Sequence, residues 1–171
     1  MTEFWERAVR AARLDGQLYE AVEADPAAFR QAMAMVVLSS VAAGLGIVSE
    51  IGVDGVLLGT LAALLGWFLW AFLVYWIGGR FLRQPQTQTN LGELLRTLGF
   101  ASSPGMIRIL AVVPGMAQPV FLLAEIWMLA AMVVAVKHAL DYTGTARAAA
   151  VCFFTWLVQW LTFQAMLSLT P

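Results

Sequence analysis

Apolar positions along this chain fall into long blocks separated by short polar breaks, and none of the blocks alternates as a strand would. The first block, residues 2–24, is the least apolar. Phe4, Trp5, Ala8, Val9 and Ala12 recur at helical spacing, and Leu14, Leu18, Ala21 and Val22 continue it on a shifted face. This pattern predicts an amphipathic helix that occupies a cytoplasmic segment, residues 1–25. Asp25-Pro26 then reads as a helix start, an oxygen-bearing cap followed by proline at the first helical position.

Five apolar blocks follow, at about 26–49, 55–78, 98–113, 120–140 and 146–169. Ala32–Val48 and Gly55–Gly79 carry no charge, and about 20 apolar residues are enough to cross a bilayer as a helix. The expected fold is therefore all-α: a polytopic membrane bundle, with residues 26–171 as one domain of five transmembrane helices. The breaks are EIGVDG, the polar loop GRFLRQPQTQTN, a Pro114–Pro119 turn and DYTGTAR. The polar loop has the composition of a segment that buries nothing. Asn90 and Glu93 have capping-box spacing, which predicts an interfacial helix over Leu91–Leu98. Gly55, Gly59 and Ala63 form a face of small residues that another helix can approach closely.

Composition supports the membrane reading. Apolar residues make up 61% of the 171 residues and charged residues 12%, half the share usual in soluble domains. The net charge of −1 gives no footprint for nucleic acid, and a lipid bilayer is the expected environment. Acidic residues from Glu3 to Asp25, with no apolar core, speak against a signal peptide, so the first membrane helix is expected to act as an uncleaved insertion signal. With five crossings, nine of the ten basic residues fall on one side. The positive-inside rule then places the N-terminus in the cytoplasm and the C-terminus outside, in a bacterial cytoplasmic (inner) membrane.

The tenth basic residue, Arg108, lies inside the third block, and Glu125 is the one acid inside the fourth. They stand at similar distances from the turn between these blocks, so the spacing predicts an intramembrane ion pair. Such a pair serves either as a register pin between two helices or as part of an ion or proton path. Pro104 interrupts the third block, with Ser102 and Ser103 placed to satisfy the freed carbonyls. Near the N-terminus, Arg7, Arg10 and Arg13 form a basic stripe. It suits either an anionic membrane surface or a helix packed on the ends of the bundle.

Other candidate chemistry is sparse. His138 is the single histidine and reads as an interfacial residue at a helix C-terminus, where positive charge is favoured. Cys152 is the single cysteine, which leaves no internal disulfide and no thiolate cluster. There is no metal-ligand spacing and no phosphate-cradling glycine loop, so neither a metal nor another cofactor is expected, and no catalytic residue. Gln159 and Gln164 are placed to hydrogen-bond across helices.

Leu98-Gly99-Phe100-Ala101 with Pro104, followed by Ile126-Trp127 and a further helix after a small polar loop, resembles the Yip1 domain family over about residues 25–168. The shared segment is a packing motif, not a catalytic one. The resemblance implies five transmembrane helices behind a cytoplasmic N-terminal region. Packing motifs and surface helices without candidate chemistry point to a non-enzymatic membrane organiser or adaptor that binds lipid, other membrane proteins or further copies of itself. The alternative is a small transporter or ion pathway built on Arg108 and Glu125. The Rab-type GTPase binding of eukaryotic relatives does not carry over to this short N-terminus.

Overall fold

The computed structural model describes residues 2–169, and among these the chain is helical with no strand. Seven α-helices are formed: α1 (Thr2–Ala12), α2 (Gly16–Ala24), α3 (Ala28–Gly46), α4 (Val48–Trp76), α5 (Leu91–Ala101), α6 (Ala117–Ala139) and α7 (Thr145–Leu169). A π-helical turn, Ile77–Phe81, ends α4, and a 3-10 helix, Ser103–Val112, continues α5. Three segments, Ala28–Gly46, Gly52–Phe81 and Ala117–Ala139, are long and apolar enough to cross a membrane. The exposed Leu57, Leu58, Leu61, Leu65, Leu122, Leu123 and Ile126 belong to such helices. An apolar surface of this size is the expected lipid-facing exterior of a membrane bundle.

The amphipathic helix expected over residues 2–24 is two helices. Leu14 has φ 62, a left-handed conformation that ends α1, and the Asp15 side chain accepts from Gln17 N to start α2. The shift in apolar face after Ala12 marks this break: a continuous helix would have turned Leu18 and Val22 away from the bundle, and both are buried. The EIGVDG turn also contracts. Ile47 alone separates α3 from α4, and the bend falls at Gly52, whose φ of 68 suits glycine.

The third apolar block differs most from its expected form. The Asn90–Glu93 capping box is present, with Glu93 N donating to Asn90 Oδ1 and Asn90 N to Glu93 Oε2. The helix it starts does not stop at Leu98 but runs to Ala101. Pro104 then removes a backbone donor, and the chain tightens into the 3-10 helix. Three close approaches fix its direction: Gly99 lies against Ala32, Gly105 between Ser39 and Met128, and Gly46 against Ala111 and Phe121. α5 and the 3-10 helix therefore run parallel to α3 and antiparallel to α6. At about 1.5 Å per α-helical residue and about 2.0 Å per 3-10 residue, the pair extends about 36 Å.

The loop expected to bury nothing is docked. Thr87 is buried, and its hydroxyl donates to Leu140 O at 2.9 Å and accepts from Gln84 N at 3.1 Å. Gln86 Nε2 donates to Asp141 O, and Tyr142 Oη donates to Gly78 O at 2.8 Å. Hydrogen bonding to the turn after α6 takes the place of apolar burial, which composition alone does not reveal.

Candidate functional site

The Leu-Gly-Phe segment lies at the centre of the bundle. Leu98, Phe100, Ala101 and Pro104 are buried, and Gly99 permits α5 to meet the backbone of α3 at Ala32. Ser102 Oγ donates to Gly99 O at 2.6 Å, although the i−4 carbonyl that Pro104 frees is that of Phe100, and among the described residues Ser103 Oγ has no partner. Of the second element, Ile126 faces outward and Trp127 turns inward, with its Nε1 donating to Ala12 O at 2.7 Å. The two halves of the motif therefore serve different ends, since the first packs helices together and the second holds α1 against α6.

Arg96, which the sequence presents only as one more loop charge, is buried beneath α2. Its Nε donates to Val22 O at 3.0 Å and its Nη2 donates to Glu23 O, so one guanidinium closes the C-terminal carbonyls of α2. Its position just before Leu98 is the signal that could have identified it. Glu23 is half-buried beside it. Burial first, then the charges of Asp141 and Glu93, push its carboxyl up to about 7, against the pull of Arg96.

The basic stripe on α1 is largely occupied. Arg7 pairs with Glu3 at 2.5 Å and with Asp25 at 3.0 Å, and Arg10 pairs with Asp15 at 2.7 Å. These partners hold the Asp15 and Asp25 carboxyls below the usual carboxylate range. Arg13 is exposed. Ala8 and Ala11 are buried against the bundle, while Trp5 and Val9, on the adjoining face, are exposed. His138 ends α6 as expected, with Nδ1 3.0 Å from Glu20 Oε1.

Arg108 and Glu125 are not in ion-pair contact. Glu125 is exposed and acts on Arg108 only through space. The guanidinium instead lies over the Phe121 ring, 5.5 Å from its centroid, and its buried Nε has no hydrogen-bond partner among the described residues. The 3-10 winding accounts for the missed contact, because a turn of three residues rotates Arg108 away from where an α-helix would present it. Arg108 borders a cavity of about 230 Å³ between α3, α4, α5, α6 and α7, together with Ser39, Trp67, Trp70, Met128 and Gln159. Trp67 Nε1 and Trp70 Nε1 are likewise buried without partners among the described residues. Gln159 borders this cavity and Gln164 is exposed; neither makes a cross-helix hydrogen bond among the described residues. Cys152 is buried in α7, and among the described residues no group of three His, Cys, Asp or Glu is placed to hold a metal.

No curated protein and no solved structure matches the chain. The Yip1 domain matches residues 16–166, from the start of α2 into α7, and includes the packing motif, Arg96, Trp127 and the docked loop. The chain is a membrane protein that belongs to the Yip1 domain family.

Proposed function

We propose that the chain is a non-enzymatic organiser or adaptor in a bacterial cytoplasmic membrane, which binds a membrane-protein partner, lipid or a second copy through α1. The observation that carries this reading is the divided apolar face of α1. Ala8 and Ala11 fix the helix to the bundle, and Trp5 and Val9 stand exposed beside the charged rim of Glu6 and Arg13. A tryptophan at such a boundary suits either the headgroup layer or a partner's apolar surface. Two further features support five crossings with the N-terminus cytoplasmic. The pair α5 and 3-10 helix is longer than the roughly 30 Å of a hydrocarbon core. The starts of α3 and α5 and the end of α6 also lie at one end of the bundle, where α2 packs against α5 and α6.

The test is crosslinking in the native membrane followed by mass spectrometry, with wild type beside W5A/V9A/R13A. These three side chains are exposed, so the variant keeps the buried face of α1. A partner captured by wild type and lost from the variant is the expected result. Identical captures from both remove α1 as the binding surface.

A further inference from the structure

At the end of α4 a larger cavity, of about 570 Å³, opens between the π-helical turn and the docked loop, with Tyr75, Trp76, Arg80, Arg83, Gln88 and Thr89 on its wall. Arg80 and Arg83 are both exposed, and among the described residues neither makes an ion pair or a side-chain hydrogen bond. They differ in this from Arg7, Arg10 and Arg96, whose guanidiniums are taken up within the protein. Among the described residues no Asp or Glu lines the cavity. Glu93 is committed to Asn90, and Asp141 accepts from Gln88 N without forming part of the wall. The cavity therefore carries two cations and no carboxylate to neutralise them.

Its place in the fold adds a second constraint. The segment Gly52–Phe81 is long and apolar enough to cross a membrane, and Arg80 stands in its last turn, at the level where headgroups begin. Leu65, Leu69, Phe72 and Trp76 recur at helical spacing and are all exposed, so one apolar stripe runs along α4 and ends at the cavity in Trp76. Tyr75 and Trp76 are of the residue types that favour this depth.

We infer that this cavity binds the phosphate group of an anionic phospholipid, with the phosphate oxygens on Arg80 and Arg83 and the acyl chains along the α4 stripe. One planar guanidinium fork is enough for a carboxylate, whereas two of them suit a tetrahedral phosphate, whose oxygens lie in more than one plane. A zwitterionic lipid brings a further cation to a wall that has no carboxylate to receive it. A free phosphate gains nothing from the stripe. The site shares no residue with α1, so it stands or falls separately from the adaptor reading.

The test titrates the full-length protein in neutral detergent with phosphatidylglycerol or phosphatidylcholine and measures the lipid adducts by native mass spectrometry. Wild type should retain phosphatidylglycerol about tenfold more tightly or better, since each basic residue near an anionic membrane surface strengthens binding about fivefold. Arg80→Gln/Arg83→Gln should bring the two lipids level. Arg30→Gln/Arg147→Gln, an equal loss of exposed charge elsewhere, should leave the preference intact. Neither inorganic phosphate nor decanoate, at the concentration of the lipid, should displace phosphatidylglycerol. Equal retention of the two lipids by wild type overturns the proposal, as does a preference that survives in Arg80→Gln/Arg83→Gln or vanishes from both double variants alike. Displacement by phosphate would make the ligand an aqueous anion, and displacement by decanoate would make it a carboxylate; either result also overturns the proposal. The wild-type titrations decide the matter even where a variant fails to fold.

Discussion

Gly99 leaves no room for a methyl group. A Cβ at this position would come within 2.7 Å of Ala32 Cβ and 3.0 Å of the Ala32 carbonyl, and backbone cannot move aside as a flexible side chain can. Gly99→Ala should therefore destabilise the bundle by about 1–3 kcal/mol, the usual cost of overpacking, and a melt in detergent would reveal it as a lower midpoint. Arg96→Gln removes a charged donor from two helix-end carbonyls and should cost at least about 1.5–3 kcal/mol, with α2 becoming protease-sensitive before the membrane helices. Glu23 supplies a pH dependence. Its folded pKa of about 7 lies above the model-peptide value of 4.5, so the folded state holds the proton more tightly than the unfolded one. Stability is then highest below that lower value and declines as pH rises toward 7. Midpoints measured from pH 5 to pH 8 should fall in wild type, and Glu23→Gln should flatten that stretch of the profile. Asp15 and Asp25 act in the opposite sense and in a more acid window, as their ion pairs with Arg10 and Arg7 are protonated away. Gly99 was legible as a motif position. The roles of Arg96 and Glu23 were not, because both arise from packing across more than seventy residues of chain.

Among the elements, helix type and order followed from periodicity, and the errors cluster where one helix changes character. At Leu14 the apolar face shifts, and the Asp15-Gly16 pair that follows is the turn signal that marks the break. At Pro104 the sequence signals an interruption but not its outcome, whether kink, re-entrant turn or 3-10 continuation. That outcome decides topology, and it can be checked directly. With Cys152 replaced by alanine, single cysteines at Thr89 and Met116 bracket α5 and the 3-10 helix. A membrane-impermeant maleimide should label the Met116 cysteine in intact cells and the Thr89 cysteine only after the membrane is opened. Labelling of both from one side would mean that the segment returns to its starting face. The same winding explains why the Arg108–Glu125 pair, argued from α-helical rise on both sides of the turn, is absent as a contact, while Arg108 still reaches the interior.

At the scale of the whole molecule, the N-terminal helices are as much part of the core as the apolar blocks. Leu18, Tyr19 and Val22 are buried, and Tyr19 Oη donates to Ala11 O at 3.1 Å. Removal of residues 2–24 should therefore abolish accumulation of folded protein. Removal of residues 2–12 alone strips acceptors from Tyr19 and Trp127, at about 1–3 kcal/mol for each buried donor left unsatisfied, and should lower the melting midpoint without unfolding the bundle. Both effects can be read by size-exclusion profile and thermal melt. The Trp127–Ala12 hydrogen bond joins residues 115 positions apart, and this separation has a consequence for how the molecule is made. Ribosomes add about 5–20 residues per second, so α1 exists for roughly 6–23 s before its seat on α6 has been synthesised. Throughout that interval its apolar stripe must rest elsewhere, and the nearest apolar medium is the face of the bilayer into which α3 and α4 are being threaded. This helix, held to the finished bundle by Ala8, Ala11 and the Trp127 hydrogen bond, thus begins as a peripheral lipid-bound segment and reaches its place late, after α6 has been released.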